Sequence, residues 1–265
     1  MNVEIDRSRC NGCGLCVKDC VAKMITLKAG KAVYEGSCMQ CGHCVAICPQ
    51  NAVSIPDYDM GEVETYRPEE VELDPERLLR AIKFRRSVRD FLPKPVEREK
   101  IEQIIEAGRY TPTGSNKQDV EFLVIQDQMD QWKKLLWEGW KQYAEELKKS
   151  APLEAMRFLQ YYDTYQKDPS KDRLFFNAPV IILLGAQQPI SAGLASENME
   201  MMAVALGLGV MYDGYAIRAI KASKEAQQWI GFSEGTEAIS CMTLGYPNVH
   251  YQRTAPRKKA SVMWR

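Results

Sequence analysis

Eight cysteines within the first 48 residues constrain this chain more than anything else in it. Cys10, Cys13, Cys16 and Cys20 recur as Cys38, Cys41, Cys44 and Cys48, each at an offset of 28 residues. The flanks keep the same offset: Ile5 falls on Val33, Ile25 on Val53 and Leu27 on Ile55. Each half reads as a short strand, a cysteine loop, a turn or two of helix and a second short strand. One half alone is too small to hold an apolar core, whereas two halves stapled by metal are large enough. The ninth cysteine, Cys241, lies in the apolar run Ile239-Ser240-Cys241-Met242 and reads as a small buried hydrophobe.

The residues from Met1 to Asp6 include acids and no apolar h-region, so a cytoplasmic location is expected. In that setting crowded cysteines point to metal rather than to disulfides. The spacing C-x-x-C-x-x-C-x-x-x-C places three thiolates on one tight loop, enough for three corners of a cubane. The fourth cysteine opens a helix pointing away, and so serves the other cluster. On that logic Cys10, Cys13, Cys16 and Cys48 hold cluster one, and Cys38, Cys41, Cys44 and Cys20 hold cluster two. Pro49 after Cys48 fits the pattern, whereas Val21 after Cys20 departs from it. Structural zinc is the competing reading, but zinc sites pair two knuckles at a distance rather than packing four cysteines into eleven residues. Gly12, Gly14 and Gly42 leave backbone N–H groups free for cluster sulfur, and His43 reads as a surface residue. Residues 3–55 resemble a bacterial two-cluster ferredoxin, which implies two 4Fe–4S clusters.

The 265 residues carry 35 Lys+Arg against 35 Asp+Glu. A balanced charge argues against a general nucleic-acid or membrane-surface role, so neither partner is expected. The most apolar run, Pro179 to Leu184, is far shorter than the roughly 20 residues of a spanning helix. Three parts are expected: residues 1–56 as the iron–sulfur domain, 57–73 as an acidic, turn-rich linker, and 74–265 as a larger α+β domain. Asp74-Pro75-Glu76 opens a helix, with Asp74 as N-cap and Pro75 at the first helical position. Helices are also expected around residues 101–108, 130–148, 153–165 and 194–206, with strands over 120–125, 180–184 and 239–244. The aromatic helices carrying Trp132, Trp137, Trp140, Tyr161, Tyr162 and Tyr165 are candidates for core, dimer surface or a substrate lid.

Three segments of the larger domain point to an anionic ligand. Arg85-Arg86-Ser87-Val88-Arg89 puts three guanidinium groups and a hydroxyl within five residues, a set suited to phosphate. Taken alone, on charge, it reads more readily as a solvated basic helix end. Thr111 to Gln118 is a polar loop between a helix and a strand, and Pro256-Arg257-Lys258-Lys259 is a basic tail. In this order, together with Leu206-Gly207-Leu208-Gly209 before Asp213-Gly214-Tyr215, they resemble the nitroreductase family over about residues 76–260. The match over 130–175 is loose.

That resemblance implies a homodimeric FMN fold, a central, mostly antiparallel sheet flanked by helices. It implies that Arg85, Ser87 and Arg89, with Arg86 nearby, hold the phosphate and ribityl oxygens. It places Pro112, Thr113, Gly114 and Asn116 at the flavin from the partner subunit or from the loop beneath the ring, with Gln118 supporting that loop. The backbone of Asp213 and Gly214 is expected at the flavin N5 edge, and Arg257 and Lys259 at the phosphate. The chemistry resides at FMN N5, and no catalytic side chain stands out; Tyr212, Tyr215 or solvent are candidate proton sources.

Clusters pass electrons singly and flavin converts between one- and two-electron chemistry. The expected activity is therefore transfer from a low-potential one-electron donor, such as a ferredoxin, through two clusters and FMN. The expected acceptor is a small electrophile: a nitroaromatic, a quinone or an activated alkene. An electron-transfer adaptor for a partner protein, or a redox-sensing flavoprotein, are the alternative readings.

Overall fold

The repeat and the basic segments fall in separate parts of a computed structural model, which describes residues 3–265. Unit one comprises Met1–Glu72 and Thr113–Lys117; unit two comprises Leu73–Pro112 and Gln118–Arg265.

In unit one the two halves of the repeat interlock. Strand β1 (Glu4–Ile5) pairs antiparallel with β4 (Val53–Ser54), so the first strand of one half closes on the last strand of the other. Strands β2 (Ile25–Lys28) and β3 (Lys31–Tyr34) form a hairpin across the junction between halves. Helices α1 (Leu15–Asp19) and α2 (His43–Ala46) each open on a left-handed glycine, Gly14 (φ 76°) and Gly42 (φ 75°), again 28 residues apart. Val3, Ile25, Ala32, Ala52, Val53 and Ile55 form a small core together with Cys10, Cys16 and Cys44. Beyond it, the segment expected to be a linker holds a 3-10 turn (Met60–Glu62) and a helical turn, α3 (Pro68–Val71).

Unit two is α+β around a four-stranded antiparallel sheet in the order β5-β6-β8-β7. The strands are β5 (Glu121–Ile125), β6 (Val180–Ala186), β7 (Gly209–Tyr212) and β8 (Glu237–Gly245). All seven residues of β6 are buried, and alternate side chains enter different cores. Ile181 and Leu183 join one, while Val180, Ile182 and Leu184 join the other. This period of two is what a strand covered on both faces requires.

The helices flanking the sheet are α4 (Pro75–Phe84), α5 (Arg98–Arg109), α6 (Met129–Leu147), α7 (Pro152–Lys167), α8 (Pro189–Ala205), α9 (Gly214–Ala222) and α10 (Lys224–Ile230). Asp74 caps α4 through the Arg77 N–H at 2.5 Å, with Pro75 at its first position. The sequence pattern missed α9, α10 and β7 because each is short.

The aromatic helices put their tryptophans into the core. Trp132, Trp137, Trp140 and Phe158 are fully buried. Trp137 stacks on Tyr165 at 4.5 Å, and the Trp140 indole N–H donates to the Phe158 carbonyl at 3.0 Å. Cys241 is buried in the same core, as its apolar surroundings imply. Among the described residues no helix is long and apolar enough to cross a membrane.

Candidate functional site

Within unit one, a small cavity is lined by Cys10, Cys13, Cys16 and Cys48 together with Ile5, Ala32 and Val53. Burial pushes the Cys16 thiol up, and the neighbouring Cys48, Cys10 and Cys13 push the same way. Burial also pushes Cys44 up to about 11, with Cys38 and Cys41 adding to it. Cys20 and Cys38 both lie near enough to Tyr34 to raise its phenol, behind the larger effect of burial. Cys48 of the second half thus lines one cavity with Cys10, Cys13 and Cys16 of the first, and Cys38, Cys41 and Cys44 lie near one another.

Backbone N–H groups aim at the sulfurs. Ala32 donates to Cys10 at 3.4 Å, Met24 to Cys20 at 3.4 Å, Gln40 to Cys38 at 3.2 Å and Ala52 to Cys48 at 3.3 Å. Such donors stabilise negative sulfur and tune the potential of an iron–sulfur centre. Neutral buried thiols gain little from them, so the donor set fits thiolates held by metal.

In unit two, the basic segment runs extended beside β7. Ser87 bridges Val210, and the Val88 N–H donates to the Val210 carbonyl at 3.0 Å. Val88 is buried against Gly209, where an added β-carbon would sit 2.5 Å from a Val88 methyl, so glycine is required for this approach. On the other side Phe91 bridges Pro247, and the Asn248 N–H donates to the Asp90 carbonyl at 2.9 Å. The segment is therefore clamped at Val88 and Phe91. Arg86 and Arg89 have no carboxylate partner among the described residues, which fits an anionic ligand.

Arg85, at the end of α4, is different. Its guanidinium bonds Glu200 on α8 at 2.8 Å, and the Glu200 side chain is only 2% exposed. Burial raises the Glu200 carboxyl and Arg85 opposes that rise, leaving it above the usual range. The signal for Glu200 was a single acid on the stripe of small and apolar residues Ala192, Ala195, Ser196, Met199 and Ala203. Breaking a buried pair strands a charge. Arg85→Met is expected to cost about 3 kcal/mol in urea unfolding at pH 7, with Glu200→Gln in the same chain recovering most of it. An unchanged midpoint in the single variant would show that Glu200 does not depend on Arg85.

The remaining predicted residues fall in both units. Pro112 ends a stretch of unit two, Thr113, Gly114 and Asn116 belong to unit one, and Gln118 resumes unit two. Next to Pro112, the Thr111 hydroxyl is buried and accepts from Asn198 of α8 at 2.8 Å. Arg257 and Lys259 lie in the exposed tail and make no bond to residues 85–89 among the described residues. Asp213 caps α9: its carboxylate accepts the N–H groups of Tyr215 at 3.0 Å and Ala216 at 2.9 Å. It leaves the Gly214 N–H aside, and the space above Gly214 is open. The Tyr212 hydroxyl donates to the Ser196 carbonyl at 2.9 Å, and burial holds its phenol far above the usual range. Tyr215 packs edge-on against Trp140.

The fold and these two sites define an iron–sulfur flavin oxidoreductase class. Residues 82–246 match the model of the nitroreductase family, and residues 9–53 match the 4Fe-4S dicluster domain. The chain belongs to the nitroreductase family, with an N-terminal 4Fe–4S dicluster domain. A relative from Archaeoglobus fulgidus, carrying the name NADH dehydrogenase/NAD(P)H nitroreductase, is 26% identical over 182 residues, covering 65% of this chain and 86% of that one. The fold is shared with a nitroreductase with bound FMN from Bacteroides fragilis (TM-score 0.56, 18% identity, 70% of this chain and 98% of that one). It is also shared with one with bound FMN from Desulfitobacterium hafniense (TM-score 0.55, 21% identity, 70% and 97%). A BluB-like flavoprotein from Clostridium difficile has the same fold (TM-score 0.54, 22% identity, 69% and 94%).

Proposed function

We propose that this protein takes single electrons through two 4Fe–4S clusters to FMN and passes two electrons to a small electrophile such as a nitroaromatic, a quinone or an activated alkene. The observation that carries this reading is one chain holding a cavity lined by Cys10, Cys13, Cys16 and Cys48 and a clamped segment whose Arg86 and Arg89 have no carboxylate partner among the described residues. Cys10, Cys13, Cys16 and Cys48 hold cluster one; Cys38, Cys41, Cys44 and Cys20 hold cluster two. In the larger part, residues 74–265, Arg86, Ser87 and Arg89 grip the FMN phosphate and ribityl oxygens. Arg257 and Lys259 complete that grip, and Pro112 and Gln118 approach the flavin from either side of the Thr113–Lys117 loop.

When bound, FMN converts between one-electron and two-electron transfer. The chain supplies orientation. Val88 and Phe91 fix the arginine segment, and the α9 N-terminus presents the Gly214 N–H, with Asp213 setting the direction of that helix. The Tyr212 hydroxyl donates its proton in a hydrogen bond to the Ser196 carbonyl, and solvent is the proton source in this reading.

The donor in this reading is a low-potential one-electron carrier such as a ferredoxin, and the compartment is the cytoplasm. The protein acts as a homodimer. Leu78, Leu79, Ile82 and Phe84 of α4 are all more than 40% exposed, an apolar stripe that a second copy would cover. The test is an anaerobic reductive titration of iron-reconstituted protein, with iron, sulfide and FMN quantified and the mass weighed by sedimentation equilibrium. About eight irons and one FMN per chain, in a dimer whose clusters reduce flavin, is the expected result. Zinc in place of iron, absence of flavin, or rapid FMN reduction by NADH in cluster-free protein would overturn it.

A further inference from the structure

The loop Thr113–Lys117, which the family resemblance places at the flavin, belongs to the same compact unit as the cysteine repeat. Within that unit the Asn116 side-chain amide donates to the Gln40 carbonyl at 2.9 Å and to the Met39 carbonyl at 3.2 Å, with the Tyr58 hydroxyl at 3.4 Å. Met39 and Gln40 are the two residues between Cys38 and Cys41. They form the turn of the second cysteine loop.

The repeat shows why that turn needs help. Gln40 occupies the position of Gly12 in the first half, and both are left-handed, Gly12 at φ 76° and Gln40 at φ 53°. Glycine adopts this conformation freely; a residue with a β-carbon does so rarely. The first half therefore holds its turn by sequence alone. The second half has a glutamine there, and its turn is tied from outside at both ends of that residue. Asn116 takes the Gln40 carbonyl, and Asp57 takes its side-chain amide.

The turn matters because the Gln40 N–H points at the Cys38 sulfur, 3.2 Å away. If the peptide planes on either side of Gln40 rotate, that donor leaves the sulfur. Backbone donors to sulfur are among the levers that set cluster potential.

We propose that Asn116 is a positioning residue for the second iron–sulfur cluster, holding the Cys38–Cys41 turn so that the Gln40 N–H stays on the Cys38 sulfur. The proposal rests on the two-cluster reading given above. An amide is specific for this task. It offers two N–H donors to two carbonyls, whereas the isosteric carboxylate would offer only acceptors.

The test uses reconstituted full-length protein and the variants Asn116→Asp and Asn116→Ala, the second serving if the first does not fold. EPR-monitored redox titration reads both clusters, and hydrogen exchange reads the individual amides. One midpoint is expected to fall by about tenfold in its reduction equilibrium, about 59 mV for one electron, while the other stays. The Gln40 amide is expected to exchange faster, with the Ala32 and Ala52 amides, which serve Cys10 and Cys48, unchanged. Selective loss of one cluster's iron and signal would support the proposal equally. Two intact clusters with unmoved midpoints and unchanged Gln40 exchange would overturn it, and so would loss of FMN alone. Wild-type protein lacking two EPR-active clusters would instead overturn the two-cluster reading itself, independently of Asn116.

Discussion

Removing iron by anaerobic chelation is expected to unfold residues 3–55 while leaving the sheet of residues 121–245 folded. The reason lies in the size of the apolar core. Its largest members are Ile25, Ile55, Val3 and Val53, and three of its other members are cysteines. The strands are two to four residues long and the helices five and four. Strand pairs this short do not stand alone in water, and domains this small are completed by metal. Metal binding then supplies the folding free energy, on the order of 10 kcal/mol for structural metal sites. In unit two, by contrast, β6 is buried along its whole length between two cores. Hydrogen exchange decides the matter. Amides of Ile25–Lys28 should lose protection with iron while those of Val180–Ala186 keep it. Retained protection at Ile25–Lys28 in iron-free protein would mean that the apolar core suffices.

The second large effect is a pH dependence centred on Asp213. This side chain is 4% exposed, and burial pushes its carboxyl up to about 7. The two α9 N–H groups pull it down, and Asp172 adds a smaller push upward. In the unfolded chain the same group titrates near 3.8. Between those values the folded state holds a proton that the unfolded state has lost. Stability from this group is therefore fully present below about pH 4, falls as pH rises towards 7, and is level above that. The accumulated loss is roughly 4 kcal/mol. Asn caps a helix as well as Asp does and does not titrate. The stability of Asp213→Asn relative to wild type should thus improve by roughly that amount between pH 4 and pH 8. Chemical unfolding across this range, with FMN at fixed concentration, checks it. Parallel curves for the two proteins would show that Asp213 does not change charge in this window.

Asp213 also shows where sequence reading stopped. The Asp213-Gly214 pair was visible, and it pointed to backbone near the flavin. That the carboxylate turns inward, caps α9 and is buried was not visible, because burial depends on what covers α9 from elsewhere. α6 packs on α9, and the aromatic stripe of α6 decides that cover. The stripe itself was legible as helix, but a stripe reads alike whether it faces its own core, a partner or a ligand.

The sequence by itself determined the parts whose information is local. Ligand spacing within one cysteine loop, the apolar run of β6, the Asp74 cap and the arginine run all act over a few residues. Local sterics and hydrogen bonding therefore settle them before any tertiary contact forms. Only the tertiary structure decided the parts that join distant segments. The closing of β1 on β4 joins residues about 50 apart. The burial of Glu200 beneath Arg85 joins residues 115 apart, and the use of Asn116 to hold the Gln40 turn joins residues 76 apart. The physical reason is common to all three. A charge or an amide recorded in sequence states what it can bond, but the chain's path decides which donor or carbonyl is brought within 3 Å of it.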